Sequence, residues 1–335
     1  MKKKDTPKDS SRRTFLKKSA IVGLGAGLDL SSALSFDNTE IRIGIIGLDT
    51  SHSIAFTKLF NANQPLEGFA GFKVVSAFPF GSKTISSSLE RIPKYTKEIQ
   101  EWGVSIADSI DELLGKVDVV LLETNDGTLH LEQARKVFKA NKPLFIDKPV
   151  AAQYNEVKQI FVEANELGVP IFSASSLRYQ QIVNSVRVEN KIGKIIGCET
   201  FSPAEIEPLH SDLFWYGIHG VEMLFTVMGT GCKTVQRIYS PDVDVVIGKW
   251  ADGRIGTFRG IRKGFHGYGG TAYGTEGNSY LGSFDGYEGL ALNIAKFFRT
   301  KISPVNYKET LEIYAFMEAA NESKRRGGSE VLVTI

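Results

Sequence analysis

Between residues 41 and 173 the chain alternates short apolar runs with helical patterns, and few folds accept that alternation. Val117-Asp118-Val119-Val120-Leu121-Leu122 is apolar almost without a break, whereas a strand with one wet face alternates apolar and polar side chains. Strands hidden on both faces and separated by helices specify an α/β domain on a Rossmann-like, doubly wound parallel sheet. The pattern predicts strands over 41–47, 73–78, 117–123, 144–147 and 170–173, and helices over 53–61, 86–102, 129–140 and 153–167.

Past residue 177 the pattern changes. Strand candidates follow one another directly, over 195–201, 234–240, 243–251, 255–262, 270–275 and 278–283, with glycine-rich turns between them. Short connections imply antiparallel pairing, so this part reads as an α+β domain with a largely antiparallel open sheet and two closing helices, 288–299 and 308–326. The expected organisation is a leader over 1–35, a dinucleotide-binding Rossmann domain over 36–173 and a second domain over 174–335.

The leader stands apart in composition. Lys2, Lys3, Lys4 and Lys8 precede Ser11-Arg12-Arg13-Thr14-Phe15-Leu16-Lys17-Lys18 and a weakly apolar stretch from Ser19 to Leu34, the layout of a twin-arginine export signal. Asp29 interrupts the apolar stretch, which is too short to span a bilayer, and Ser31 and Ala33 offer only a loose cleavage site. The mature protein is therefore expected to be soluble and periplasmic, or otherwise exported. The leader carries eight Lys/Arg and three Asp, so without it the net charge falls from +2 to −3, which leaves no basic surface for nucleic acid. Cys198 and Cys232 lack metal-type spacing and read as buried small residues, with pairing left open in an exported protein.

Three loops at predicted strand ends carry the chemistry, because open α/β sheets bind ligands there. The first strand runs into Gly47-Leu48-Asp49-Thr50-Ser51-His52-Ser53, where a dinucleotide fold places Gly-x-Gly-x-x-Gly before a helix. Only Gly47 matches; Asp49 and His52 stand at the second and third glycine positions. Either Thr50, Ser51 and Ser53 supply hydroxyl contacts to a phosphate, with Asp49 turned away from it, or the loop merely caps the helix. The second strand ends at Phe78-Pro79-Phe80-Gly81-Ser82-Lys83, without the acid that accepts an adenosine ribose; Ser82 and Lys83 could instead meet a 2′-phosphate, so the cofactor reads as NAD or NADP. A later strand ends at Asp147-Lys148-Pro149, which puts an ammonium at the ligand-binding edge.

These landmarks, with Glu123-Thr124-Asn125-Asp126-Gly127-Thr128-Leu129-His130 and a later Trp215-Tyr216-Gly217-Ile218-His219, resemble the Gfo/Idh/MocA family of nicotinamide-dependent sugar and polyol oxidoreductases over nearly all of residues 41–335. The resemblance implies that Lys148 contacts both nicotinamide and substrate, that Thr124 or Asn125, with His130, serves the nicotinamide ribose, and that His219 is catalytic. Arg178 and Tyr179 match a segment facing substrate, and His210 precedes the aromatic run. The aspartate usual before the glycine is Trp215 here, which leaves Tyr216, Asp212 or His210 to stand in for it. The resemblance also implies a homo-oligomer paired through the second sheet.

Oxidising an alcohol needs a group to polarise the oxygen and a base of near-neutral pKa to take its proton. Lys148 suits the first task and His219 the second, and Asp147 beside the lysine favours its charged form. The expected protein is thus an exported NAD(P)-dependent oxidoreductase of a sugar, glycoside or cyclic polyol. A non-catalytic sugar- or nucleotide-binding protein and an oxidation-assisted glycosidase are the alternatives. Asp49, His52, His130 and His219 lack the spacing of a metal site, and none is expected.

Overall fold

The computed structural model describes residues 40–335, so the segment read as an export signal lies outside the described residues. Strands β1 (Ile41–Ile46), β2 (Phe72–Phe78), β3 (Ser105–Ile106), β4 (Val119–Leu122), β5 (Leu144–Ile146) and β6 (Ile171–Phe172) form one parallel sheet in the order β3-β2-β1-β4-β5-β6. The order reverses between β1 and β4, and a crevice opens at the carboxyl ends of strands at such a switch point.

The unbroken apolar runs reflect two covered faces. Val119 and Leu121 share one core with Ile43, Phe56 and Phe145, while Val120 and Leu122 share the other with Ala134, Val137 and Ile160. Helices α1 (Ser51–Phe60), α2 (Ser86–Glu101), α3 (Ile110–Leu114), α4 (His130–Lys139) and α5 (Tyr154–Glu166) connect these strands.

The chain continues through α6 (Gln181–Val188), β7 (Ile195–Pro203), α7 (Ile218–Met228), β8 (Cys232–Tyr239), β9 (Val243–Trp250), β10 (Ile255–Ile261), β11 (Gly269–Gly274), β12 (Asn278–Tyr280), α8 (Glu288–Thr300), α9 (Tyr307–Arg325) and β13 (Val331–Leu332). Seven of these strands form the second sheet, β12-β11-β7-β10-β9-β8-β13. Its pairs are antiparallel except β7 with β10, which are parallel because α7, β8 and β9 intervene between them in sequence. Every residue of α7 is buried, and a Cβ on its Gly220 would lie 2.4 Å from the Phe258 ring, so glycine permits that close seat on the sheet. Helix α8 packs elsewhere. Its Leu290, Ile294 and Phe297 join the first sheet's core, with Phe297 edge-on to Phe172 at 4.8 Å.

The fold class agrees with the sequence reading. The short elements β3, α3, α6 and β13 were beyond it, since two to eight residues hold too little of a period to register. Cys198 and Cys232 are both buried free thiols, so the pairing left open is absent, and burial pushes the Cys232 thiol up to about 12.

Candidate active site

The carboxyl ends of the first sheet face residues of the second lobe across a cavity of about 240 Å³. Thr50, Ser51 and His52 reach it from the start of α1, Asn125 from the loop after β4 and Lys148 from the loop after β5, while Trp215, Tyr216, His219 and Tyr268 form the facing wall. An ammonium of the first lobe and an imidazole of the second thus share one cavity, although 71 positions separate them in the chain.

Lys148 is 8% exposed and makes no ion pair among the described residues; its nearest aromatic partner is the Tyr216 ring, 5.9 Å from Nζ. A nearly buried ammonium left in this state is available to an oxygen ligand. Behind it, Asp147 has no solvent contact, and its Oδ2 lies 2.8 Å from Nδ1 of His52. Burial pushes the Asp147 carboxyl up, but His52 and Lys148 outweigh it and hold the group down to about 2, ionised. Glu123, directly after β4, is also without solvent contact, and neither of its oxygens has a hydrogen-bond partner among the described residues. Burial first, then Asp147 and Asp49, raise it well above the carboxylate range against the opposing pull of Lys148, so it is held as a carboxylic acid.

On the facing wall, His219 lies in the first turn of α7, with Nδ1 2.8 Å from Ser175 Oγ. Burial, then Lys148 and His52, lower its proton affinity far below the ordinary imidazole value, so the ring is neutral. Ser175 is itself fixed: its N–H donates to Glu222 of α7 at 2.7 Å, and Glu222 also accepts from Arg178 Nε at 2.7 Å. The Tyr216 and Tyr268 hydroxyls lie 3.4 Å apart, and both rings stand edge-on to His219. Such an aromatic wall with few polar groups suits the face of a sugar ring.

The phosphate end is built on α1. Thr50 caps the helix in extended backbone without a side-chain hydrogen bond, no acid stands in the first turn, and the buried Thr50 Oγ1 has no partner among the described residues. Arg91 and Ser87 of α2 line the same cavity, and Arg91 Nη1 donates to the Asp49 carbonyl at 3.3 Å. Free helix N–H groups, hydroxyls and a guanidinium fit a pyrophosphate. Asp49 does not oppose it from within the cavity. Its carboxylate accepts from the Ser82 and Asn125 N–H groups at 3.1 and 2.9 Å, which ties the three loops together. Gly47, at φ 93°, could not carry a Cβ, which would lie 2.4 Å from the Thr124 backbone; its smallness serves loop-to-loop packing.

The residues singled out in the sequence therefore divide. Thr50, Ser51, His52, Asn125, Lys148, Trp215, Tyr216 and His219 line the cavity, whereas Gly47, Asp49, Thr124, His130, Arg178, Tyr179 and His210 do not. The buried His130 ring lies between the Thr124 and Val150 carbonyls, 2.6 and 3.1 Å away, and braces the loop instead of touching a ribose. Arg178 and Tyr179, expected at the substrate, are packed behind the wall, Arg178 between Glu222 and Glu309. His210 Nε2 accepts from the Gly127 N–H at 2.9 Å, and Asp212 pairs with Arg237 and Lys324, so of the three stand-ins for the missing aspartate only Tyr216 faces the cavity. Ser82 donates to Asp126 and is 1% exposed, which removes it from the proposed 2′-phosphate contact.

Sequence reasoning missed Ser87, Arg91, Glu205, Phe284 and Tyr287, which line the cavity without any local motif. It also missed the grouping of His52, Glu123 and Asp147, whose ligand-type atoms all lie within 4.8 Å of one another although three separate strand ends supply them.

Residues 41–175 match the profile of a family described as "Oxidoreductase family, NAD-binding Rossmann fold". A 1,5-anhydro-D-fructose reductase of Ensifer adhaerens is 30% identical over 129 residues, which is 37% of this chain and 38% of that protein's length. Among solved structures, a probable dehydrogenase from Thermotoga maritima superposes with a TM-score of 0.71 at 18% identity, covering 88% of this chain and 99% of the other. Myo-inositol dehydrogenase from Lactobacillus casei, solved with NAD(H) and myo-inositol, gives a TM-score of 0.68 at 13% identity over 88% and 97% of the two chains. At these identities the structural likeness speaks for the fold.

Proposed function

We propose, from the match of residues 41–175 to the oxidoreductase family with the NAD-binding Rossmann fold, that the chain is a nicotinamide-dependent oxidoreductase acting on a sugar, glycoside or cyclic polyol. One observation carries the reading. Lys148, a nearly buried ammonium without an ion pair among the described residues, shares its cavity with His219 and an aromatic wall.

When bound, the nicotinamide nucleotide supplies the hydride acceptor or donor. The α1 N-terminus, Thr50, Ser51 and Arg91 would hold its phosphates, with NAD favoured over NADP by the engagement of Ser82. Lys148 binds the reacting oxygen and stabilises negative charge developing on it. His219, neutral and fixed by Ser175, accepts a hydrogen bond from the substrate. Tyr216, Tyr268 and Trp215 exclude water and seat the apolar face of the ring. The proposal includes export by the leader, and pairing of subunits through the second sheet.

Native purification tests the reading. The protein is expected to carry a nicotinamide nucleotide, identified by mass spectrometry, whose absorbance changes to that of the other redox state on adding myo-inositol or 1,5-anhydro-D-fructose. Lys148→Ala should retain the nucleotide and slow the exchange about 10²–10⁴-fold. A protein that binds these sugars without nucleotide would instead support a non-catalytic binder, the reading favoured by Asp49 at the second glycine position of the fingerprint.

A further inference from the structure

The proton released by an alcohol needs a destination inside the cavity, and His219 offers one on the second-lobe wall. The opposite wall offers another. His52 lines the same cavity, is 6% exposed, and turns Nδ1 to the buried Asp147 at 2.8 Å. Both groups sit at firm points of the fold, the second residue of α1 and the residue directly after β5. The Tyr287 ring stands edge-on to the imidazole at 4.7 Å and limits its rotation. A carboxylate against one imidazole nitrogen keeps a proton there, frees the other nitrogen to act as base, and stabilises the imidazolium that results. The contact lies off the N–H line, and acid–base pairs of this kind commonly tighten as substrate closes on them.

We propose that His52, oriented by Asp147, is the acid–base residue of this site, taking the hydroxyl proton on Nε2 while Lys148 holds the oxygen. The inference rests on the dehydrogenase reading above. In the oxidising direction the carbon–hydrogen electron pair leaves with its hydrogen as hydride to the oxidised nicotinamide. The O–H bond breaks toward Nε2, and the C=O bond forms. In the reducing direction the same nitrogen returns the proton to the new hydroxyl. Asp147 stays ionised throughout.

Glu123 lies beside the pair. Its carboxyl, like both Asp147 oxygens, lacks a hydrogen-bond partner among the described residues, and it lies in the same group of atoms within 4.8 Å. Held as a carboxylic acid by burial first and then by Asp147, it adds no second negative charge behind His52.

Long-range ¹H–¹⁵N spectra of the full folded protein test the dyad without any turnover. The wild type should show the His52 proton on Nδ1, and Asp147→Asn should lose that preference while the other histidines keep their tautomers. A proton on Nε2 in the wild type would overturn the proposal, and so would one equivalent of a transition metal in the purified protein, which would make His52, Glu123 and Asp147 a metal centre. Kinetics give the second arm. With myo-inositol and NAD, His52→Ala should lose about 10²–10⁴-fold in hydride exchange, keep its bound nucleotide, and recover part of the loss on adding imidazole. Wild-type activity with an unimpaired His52→Ala, or imidazole rescue of His219→Ala alone, would assign the base to His219. Absence of exchange in the wild type would count against the dehydrogenase reading, and the tautomer would still decide the dyad.

Discussion

Single residues here earn their positions by what they leave unpaired or hold neutral. Lys148 is a nearly buried ammonium without an ion pair among the described residues, while His210 must stay neutral, because its Nε2 accepts the Gly127 N–H. Burial pushes His210 down to about 4 from the usual value. The unfolded chain therefore binds a proton that the folded chain refuses. Stability from this residue is present above about pH 6.5 and is lost as pH falls toward 4. Urea denaturation at pH 7 and pH 5 should show the wild type losing about 1–2 kcal/mol more than His210→Gln over that interval. Equal losses would mean that His210 carries no such linkage. At this scale the sequence spoke unevenly. Lys148 and His219 were legible because short motifs carry them, whereas Arg178 looked like a substrate contact because a sequence cannot reveal that Glu222 and Glu309 already enclose it.

Elements were easier to read where hydrophobic period and length agreed. The runs at β1, β2, β4 and β5 lie within a residue or two of the expected strands, since burial on both faces writes itself as an unbroken apolar segment. Where α8 packs was not readable in the same way. Its apolar residues announce a helix, but not that it packs on the first sheet, because periodicity fixes which face is buried and not against what. Phe297 makes this measurable: it has no solvent contact and stands edge-on to Phe172 of β6. Phe297→Ala should cost about 3–5 kcal/mol and weaken nucleotide retention along with stability. A loss confined to the second lobe, with nucleotide retention unchanged, would contradict this placement.

At the scale of the molecule, the two lobes close one cavity and leave one sheet face open. Paired positions put Ile238, Val245, Ile247 and Ile255 on the face of the second sheet opposite buried Val246 and Phe258, with Ile238 60% and Ile255 51% exposed. Branched apolar residues in one uncovered layer fit the pairing surface proposed for a second copy of the chain. Light scattering on Ile247→Glu should give a smaller species than the wild type, whereas an unchanged mass would remove this face from the assembly. No helix among the described residues is long and apolar enough to cross a membrane, and replacing Arg12 and Arg13 by lysine should retain the protein in the cytoplasm if the leader is a twin-arginine signal.

The central claim, that both lobes act on one nicotinamide ring, is tested most directly by a crystal structure of the protein soaked with NAD. The account predicts pyrophosphate at the start of α1, within reach of Arg91, and the nicotinamide ring between Lys148 and His219. A nucleotide bound elsewhere, or a ring that leaves either of those side chains out of contact, would contradict it.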